Sequence, residues 1–152
     1  MNKSHSMTDF QRDIRYRISQ RSDGAIVLIG TLNDRFHDIE VEICIAEDSL
    51  LITEINAAFR AAPSPYCERV QERLKMLEGI RIGKGLTRKL TETLGGEQGC
   101  GNLRTMLAGL LPLAMNVKAV AGIDDDQQLF ETLHHKLQGS CIGYPRKEHH
   151  QE

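Results

Sequence analysis

The stretch IEVEICIAEDSLLITEINAAFRAAPSPYCERVQERLKML (residues 39–77) decides the fold, because the spacing of its apolar residues changes partway through. Ile39, Val41, Ile43 and Ile45 alternate with Glu40, Glu42, Cys44 and Ala46, the pattern of a half-buried strand with one wet face. Glu47-Asp48 turns the chain into a further strand from Leu50 to Phe59. Beyond Pro63 the apolar residues recur every three or four positions. Tyr66, Val70, Leu74 and Leu77 then mark one face of a helix ending near Gly79. Strands lie before Pro63 and helices after it.

Working back from residue 39, Ile14, Tyr16 and Ile18 alternate with charged residues, Ser22-Asp23-Gly24 reads as a hairpin turn, and Ala25–Leu32 returns as a more apolar strand. Asn33-Asp34-Arg35 turns the chain once more, which gives a four-stranded antiparallel meander. Working forward, residues 80–85 form a break, and Leu86, Leu90 and Leu94 form a second helical stripe. A third helix begins near Cys100 and reaches toward Val120, with Pro112 kinking or splitting it. Asp124–Asp126 are capping candidates for a last helix carrying Leu129, Phe130, Leu133 and Leu137. The expected fold class is therefore α+β: an N-terminal antiparallel sheet of about four strands, followed by C-terminal helices packed on one of its faces. One domain over residues 1–152 is expected, with an ordered core at about 10–142 and a mobile tail at 146–152.

A net charge of -2 and an aromatic content of 5% with no Trp supply neither the basic surface nor the stacking platforms of a nucleic-acid binder. The segment MNKSHSMTDFQRD has no apolar run of the signal-peptide kind, and LAGLLPLAM is too short to span a bilayer. The expectation is a cytoplasmic protein that acts on neither nucleic acid nor membrane, with a protein partner conceivable and the oligomeric state open. The four cysteines, Cys44, Cys67, Cys100 and Cys141, include no CxxC pair. Compact zinc-ribbon spacing and the thioredoxin motif are thereby excluded, and a reducing compartment disfavours a disulfide framework.

Two of these cysteines stand at expected helix starts. Ser64 suits an N-cap and Pro65 a first helical position just before Cys67, while Gly95, Gly96 and Gly99 precede Cys100. Unpaired N–H groups and the helix dipole there favour a thiolate, so both sulfurs are candidates for reactivity or metal binding. The competing reading makes each a small buried hydrophobe. Cys44 shares the wet strand face with Glu40 and Glu42, and Cys141 lies in a terminal loop. His37 and Asp38, at the start of the third strand, form a candidate pair of metal ligand and orienting carboxylate. His134 and His135 are adjacent and hence poor joint ligands, and His149 and His150 fall in the tail. Arg81, Lys84, Arg88 and Lys89 cluster around the second helix, as a solvated face or an anion site. No P-loop, dinucleotide fingerprint, GxSxG or HExxH is present.

Several segments together carry a resemblance: the hairpin at Ser22-Asp23-Gly24, His37-Asp38 leading a strand, SPYC at 64–67, LEGIRIGKGLTRKL at 77–90 and LGGEQGCGNL at 94–103. From Arg12 to about Val120 the chain resembles a bacterial family catalogued only as domain of unknown function 2889, which implies no activity. The resemblance implies a histidine shortly after the glycine-cysteine pair and another after the terminal cysteine, where this sequence has Asn102 and Ile142. In element order the chain is also similar to NifU-type iron–sulfur cluster scaffolds, with a NifU/SufE-like fold implied. That likeness sets Cys67 and Cys100 at the places of two cluster cysteines, with the His37-Asp38 region near the remaining ligand. The functional expectation is a metal ion (zinc) or iron–sulfur cluster held by Cys67, Cys100, His37 and Asp38. The alternative is a metal-free protein-interaction or oligomerisation module in which the cysteines only pack. A thiol enzyme is a third possibility, but no general base can be placed beside either cysteine.

Overall fold

In the computed structural model, which describes residues 9–146, four strands are followed by helices. β1 (Arg12–Gln20), β2 (Ile26–Asp34), β3 (Asp38–Ile45) and β4 (Ile52–Ala61) form one antiparallel sheet in the order β1-β2-β3-β4. This is the expected α+β class and the expected meander. The register puts Leu28 opposite Ile18 and Ile43, and Leu32 opposite Ile14 and Ile39. Because side chains alternate across a strand, one face then carries Ile26, Leu28, Leu32, Ile39, Val41, Ile43 and Ile45, all essentially without solvent exposure. Glu40, Glu42 and Cys44 take the other face, with Cys44 between Val27 and Glu54.

The chain from Pro63 onward is helical but more broken than the apolar spacing suggests. Cys67–Val70 is a 3₁₀ turn running into the five-residue α1 (Gln71–Lys75). Val70, Leu74 and Leu77 are buried as expected, but Tyr66 is 63% exposed, off the stripe assigned to it. α2 (Leu86–Leu94) and α3 (Gly101–Leu110) bury Leu86, Leu90, Leu94, Leu103, Met106, Leu107 and Leu110. The break before α2 is also used: Gly79 N–H donates to Ile52, Ile52 N–H to Ile80 and Ile82 N–H to Leu50, so this segment pairs alongside the start of β4.

The approach of α3 to β2 explains Gly30. A side-chain carbon there would lie 2.9 Å from Leu110 Cδ2 and 3.2 Å from Met106 Sδ, so any larger residue would push the ends of these two side chains aside. Tyr16 on β1 fixes the same helix, donating its hydroxyl to the Met106 carbonyl at 2.9 Å.

Pro112 separates α3 from α4 (Leu113–Val120), a split rather than a gentle kink. By length and composition alone, Gly101–Val120 is apolar enough to cross a membrane. The shorter run LAGLLPLAM does not reach that length. The most apolar face of α3 is used against the sheet. α5 (Asp126–Lys136) is capped by Asp125, whose carboxylate accepts from the Gln128 N–H at 2.8 Å. The chain divides into two compact units, Met1–Ala114 and Met115–Glu152. In the second, Lys136 Nζ donates to the Ala119 carbonyl and joins α5 to α4. Most of the expected tail, with His149 and His150, lies outside the described residues, as do the first eight residues.

Candidate functional site

Two features in the first unit combine side chains that could carry chemistry: a ring of polar contacts around His37, and a depression holding Cys67 and Cys100.

The ring is built where β2 ends. Asp34 continues the helix-facing side of β2 after Leu32, so its carboxylate is carried toward the core and must be hydrogen-bonded. Its side chain has no solvent exposure. Arg12, directly opposite on β1, donates through Nε at 2.8 Å. The Phe36 and His37 N–H groups and the His37 ring Nδ1 donate as the chain turns, at 2.8, 2.8 and 2.9 Å. Arg12 Nη1 reaches Asn102 Oδ1 at 2.8 Å, which turns the amide nitrogen of Asn102 to His37 Nε2 at 3.3 Å. His37 Nδ1 thus faces the Asp34 carboxylate and its Nε2 faces the Asn102 amide. Burial pushes the Asp34 carboxyl up. The hydrogen bonds from the His37 ring, the Phe36 N–H, Arg12 and the His37 N–H outweigh it and hold the pKa at about 2. Chemically the ring is a clamp tying β1, the β2–β3 turn and the start of α3 together. Both nitrogens of His37 are used in it.

The depression lies at the helix starts. Ser64 Oγ accepts from the Tyr66 N–H at 3.1 Å and the Ser64 carbonyl from the Cys67 N–H at 3.2 Å, which seats Cys67 at the head of the 3₁₀ turn. Cys100 is pinned by its own backbone. Its N–H donates to the Leu94 carbonyl at the end of α2 at 2.9 Å, and the residue is the N-cap of α3. Gly99 is required for that turn, because a side-chain carbon on it would fall on the Leu94 carbonyl. Cys67 and Cys100 thus line one open depression of about 510 Å³, together with Arg69, Arg73, Glu72 and Glu97. Both cysteines are half-buried and free.

Of the four residues expected to hold a metal, Cys67 and Cys100 share a depression, while His37 is committed to the ring. Asp38 faces Arg60 on β4, at 3.5 Å from its Nη1. The carboxylate that orients His37 is Asp34, not the neighbouring Asp38. Among the described residues no three His, Cys, Asp or Glu side chains are grouped to hold a metal ion. Asn102, noted in the sequence as a departure, closes the ring with His37. Arg12, Asp34 and Arg73 were missed by motif reading. The signal for the first two was available, since Asp34 is in phase with the buried residues of β2 and Arg12 sits at its hairpin partner position. The basic cluster Arg81, Lys84, Arg88 and Lys89 is solvent-exposed and lines an open groove of about 480 Å³ together with Glu92, which pairs with Arg88 at 2.9 Å. A larger groove of about 600 Å³ along α5 is lined by side chains of a single exposed stretch, among them Phe130 and His134.

A meander backed by helices, with two cysteines gathered at its helix starts, defines a small α+β domain with a thiol-bearing surface site. The chain belongs to the family described as protein of unknown function DUF2889, whose model matches residues 10–116. Neither the curated proteins nor the solved structures contain a match. The family span ends beside the boundary between the two compact units and includes every residue of the ring and the depression.

Proposed function

We propose that the domain binds a metal ion or an iron–sulfur cluster in the depression, through the thiolates of Cys67 and Cys100. One observation carries this reading: two cysteines from separate helix starts converge on one open concavity, while Cys44 stays on the sheet face and Cys141 belongs to the second unit. Two soft ligands are too few for a closed structural zinc site, which takes four. With His37 engaged by Asp34 and Asn102, the remaining positions fall to ligands of the cargo itself or of a protein partner. Weak, open coordination of that kind suits a carrier, and the likeness in element order to NifU-type scaffolds points the same way. That likeness is an analogy, since fold does not fix function.

Metal analysis after anaerobic reconstitution with zinc, and separately with iron and sulfide, tests the proposal. Cys67→Ala and Cys100→Ala should each lower bound metal severalfold, while His37→Ala and Asp38→Ala should not. Equal uptake by the Cys67→Ala/Cys100→Ala double variant would sink the metal reading in favour of an interaction module with structural cysteines.

A further inference from the structure

The depression holds a second group that the thiols do not use. Arg73 lines it, and the Arg73 Nε–H is buried with no hydrogen-bond partner among the described residues. Its Nη1 rests on Met76 Sδ at 3.7 Å, a weak acceptor. Arg69, on the same wall, has its guanidinium over the Tyr66 ring at 4.4 Å. Neither arginine forms an ion pair with a carboxylate among the described residues, although Glu72 and Glu97 line the same concavity. The Nε itself is covered by protein, so what Arg73 can offer a molecule in the depression is the Nη end of its guanidinium, which no carboxylate occupies among the described residues. Cys100, which lines the same depression, caps α3 without a side-chain hydrogen bond, and the first N–H groups of that ten-residue helix, as in any helix, have no intrahelical acceptor.

We infer that the depression binds a small ligand with an anionic oxygen group, a carboxylate, phosphate or sulfonate, which Arg73 holds while the rest of the ligand meets Cys67 or Cys100. The guanidinium fork matches the oxygens of such a group in a way a lysine ammonium does not. The inference rests on the reading that this depression is the functional centre, but requires no metal.

The test uses the full chain, freed of metal with a chelator. Each cysteine is alkylated in the native protein with iodoacetate and with iodoacetamide, reagents of nearly equal size that differ by one negative charge. Rates are resolved by peptide mass mapping and expressed as the iodoacetate-to-iodoacetamide ratio, which cancels thiol reactivity and access. The same ratio in the urea-denatured chain is the reference. At low ionic strength the native ratio at Cys67 or Cys100 should exceed its denatured value by about threefold or more, as a nearby unpaired cation raises the local anion concentration. Arg73→Gln should abolish the excess and Arg73→Lys retain part of it. In the unmodified protein, inorganic phosphate should slow iodoacetamide at the same cysteine more than chloride at equal ionic strength does, a readout that holds even if Arg73→Gln does not fold. Native ratios at or below the denatured values at both cysteines would overturn the inference, with Glu72 or Glu97 then satisfying Arg73 in solution. An excess that Arg73→Gln leaves intact would overturn it too. A raised ratio without metal uptake would remove the metal reading and leave this one standing, and the converse result would do the reverse.

Discussion

The two compact units carry the same sequence signal and put it to different use. In the first, apolar residues at helical spacing in α1, α2 and α3 meet a sheet face already lined with Ile26, Leu28, Ile39, Val41, Ile43 and Ile45, and they lose almost all solvent contact. In the second, Leu129, Phe130, Leu133 and Leu137 recur with the same spacing, yet no residue of α5 is buried and Phe130 is 61% exposed. Every buried side chain among the described residues lies between Ile26 and Ala114. A helical period tells which residues share a face, and burial needs a second apolar surface to receive it. The sheet supplies that surface in the first unit. In the second, α5 is tied to α4 by a hydrogen bond from Lys136 to Ala119 at its edge.

The sharpest way to break this contrast is a matched pair of truncations. Leu107 has no solvent exposure, and Leu107→Ala should cost about 2–5 kcal/mol by removing buried methyl groups and leaving a cavity. Leu133→Ala, at a half-exposed position of α5, should cost less than about 1 kcal/mol. Urea unfolding midpoints at constant m-value measure both. Equal losses would mean that the α5 stripe is packed as tightly as the core.

The next effect belongs to the first unit alone and comes from Asp34. Its carboxyl sits at about 2 against an ordinary 3.8, so the native state favours the ionised form. A depressed native pKa contributes stability that is complete above the unfolded value and fades as pH falls through the folded one. Here that window runs from roughly pH 5 down to 2, and the contribution at neutral pH is about 2 kcal/mol. Asp34→Asn should therefore be less stable than the unmodified chain by about that amount or more at pH 7, with the gap narrowing steadily toward pH 2. Unfolding curves at pH 7, 4 and 2.5 check it. A gap that does not change with pH would show that the ionised carboxylate is not what Arg12 and His37 stabilise.

These same residues mark how far the sequence could be read. The meander, its helix-facing residues and the order of helices were legible because alternation over Ile39–Ile45 and helical spacing after Pro63 follow directly from backbone geometry. Helix quality was not. The Tyr66–Leu77 stripe looks like three turns, but the chain there is a 3₁₀ turn and a single short helix, followed by a 79–82 segment that hydrogen-bonds alongside the start of β4. At the site, the turn residues around Cys67 and Cys100 announced helix starts, and the family resemblance rested on them. Their convergence on one depression depends on how α1, α2 and α3 pack, which no local pattern encodes. His37 was paired with its sequence neighbour Asp38, whereas a tight turn brings it back onto Asp34. Arg73 carried no motif at all, and only its place in the lining of the depression, without a carboxylate partner among the described residues, singles it out.

The smallest expected effect is also the most direct probe of the boundary between the units. A chain ending at Gly122 keeps α3 and α4, the entire ring and the entire depression, and loses α5 with everything after it. No buried side chain is removed, because none of the described residues beyond Ala114 is buried. The Lys136 bond to the Ala119 carbonyl is lost, but that carbonyl lies near the end of α4, where water can replace the donor. The family span, which ends at residue 116, is left whole. The shortened chain should therefore unfold cooperatively with a stability within about 1 kcal/mol of the full chain, since surface losses away from caps, cavities and buried polar groups are small. Its m-value should fall only slightly, because little additional surface was buried to begin with. Alkylation rates at Cys67 and Cys100 should not change. A loss of several kcal/mol, or a chain that no longer folds, would mean that α5 completes the domain, and the apolar stripe Leu129–Leu137 would then count as core in both units.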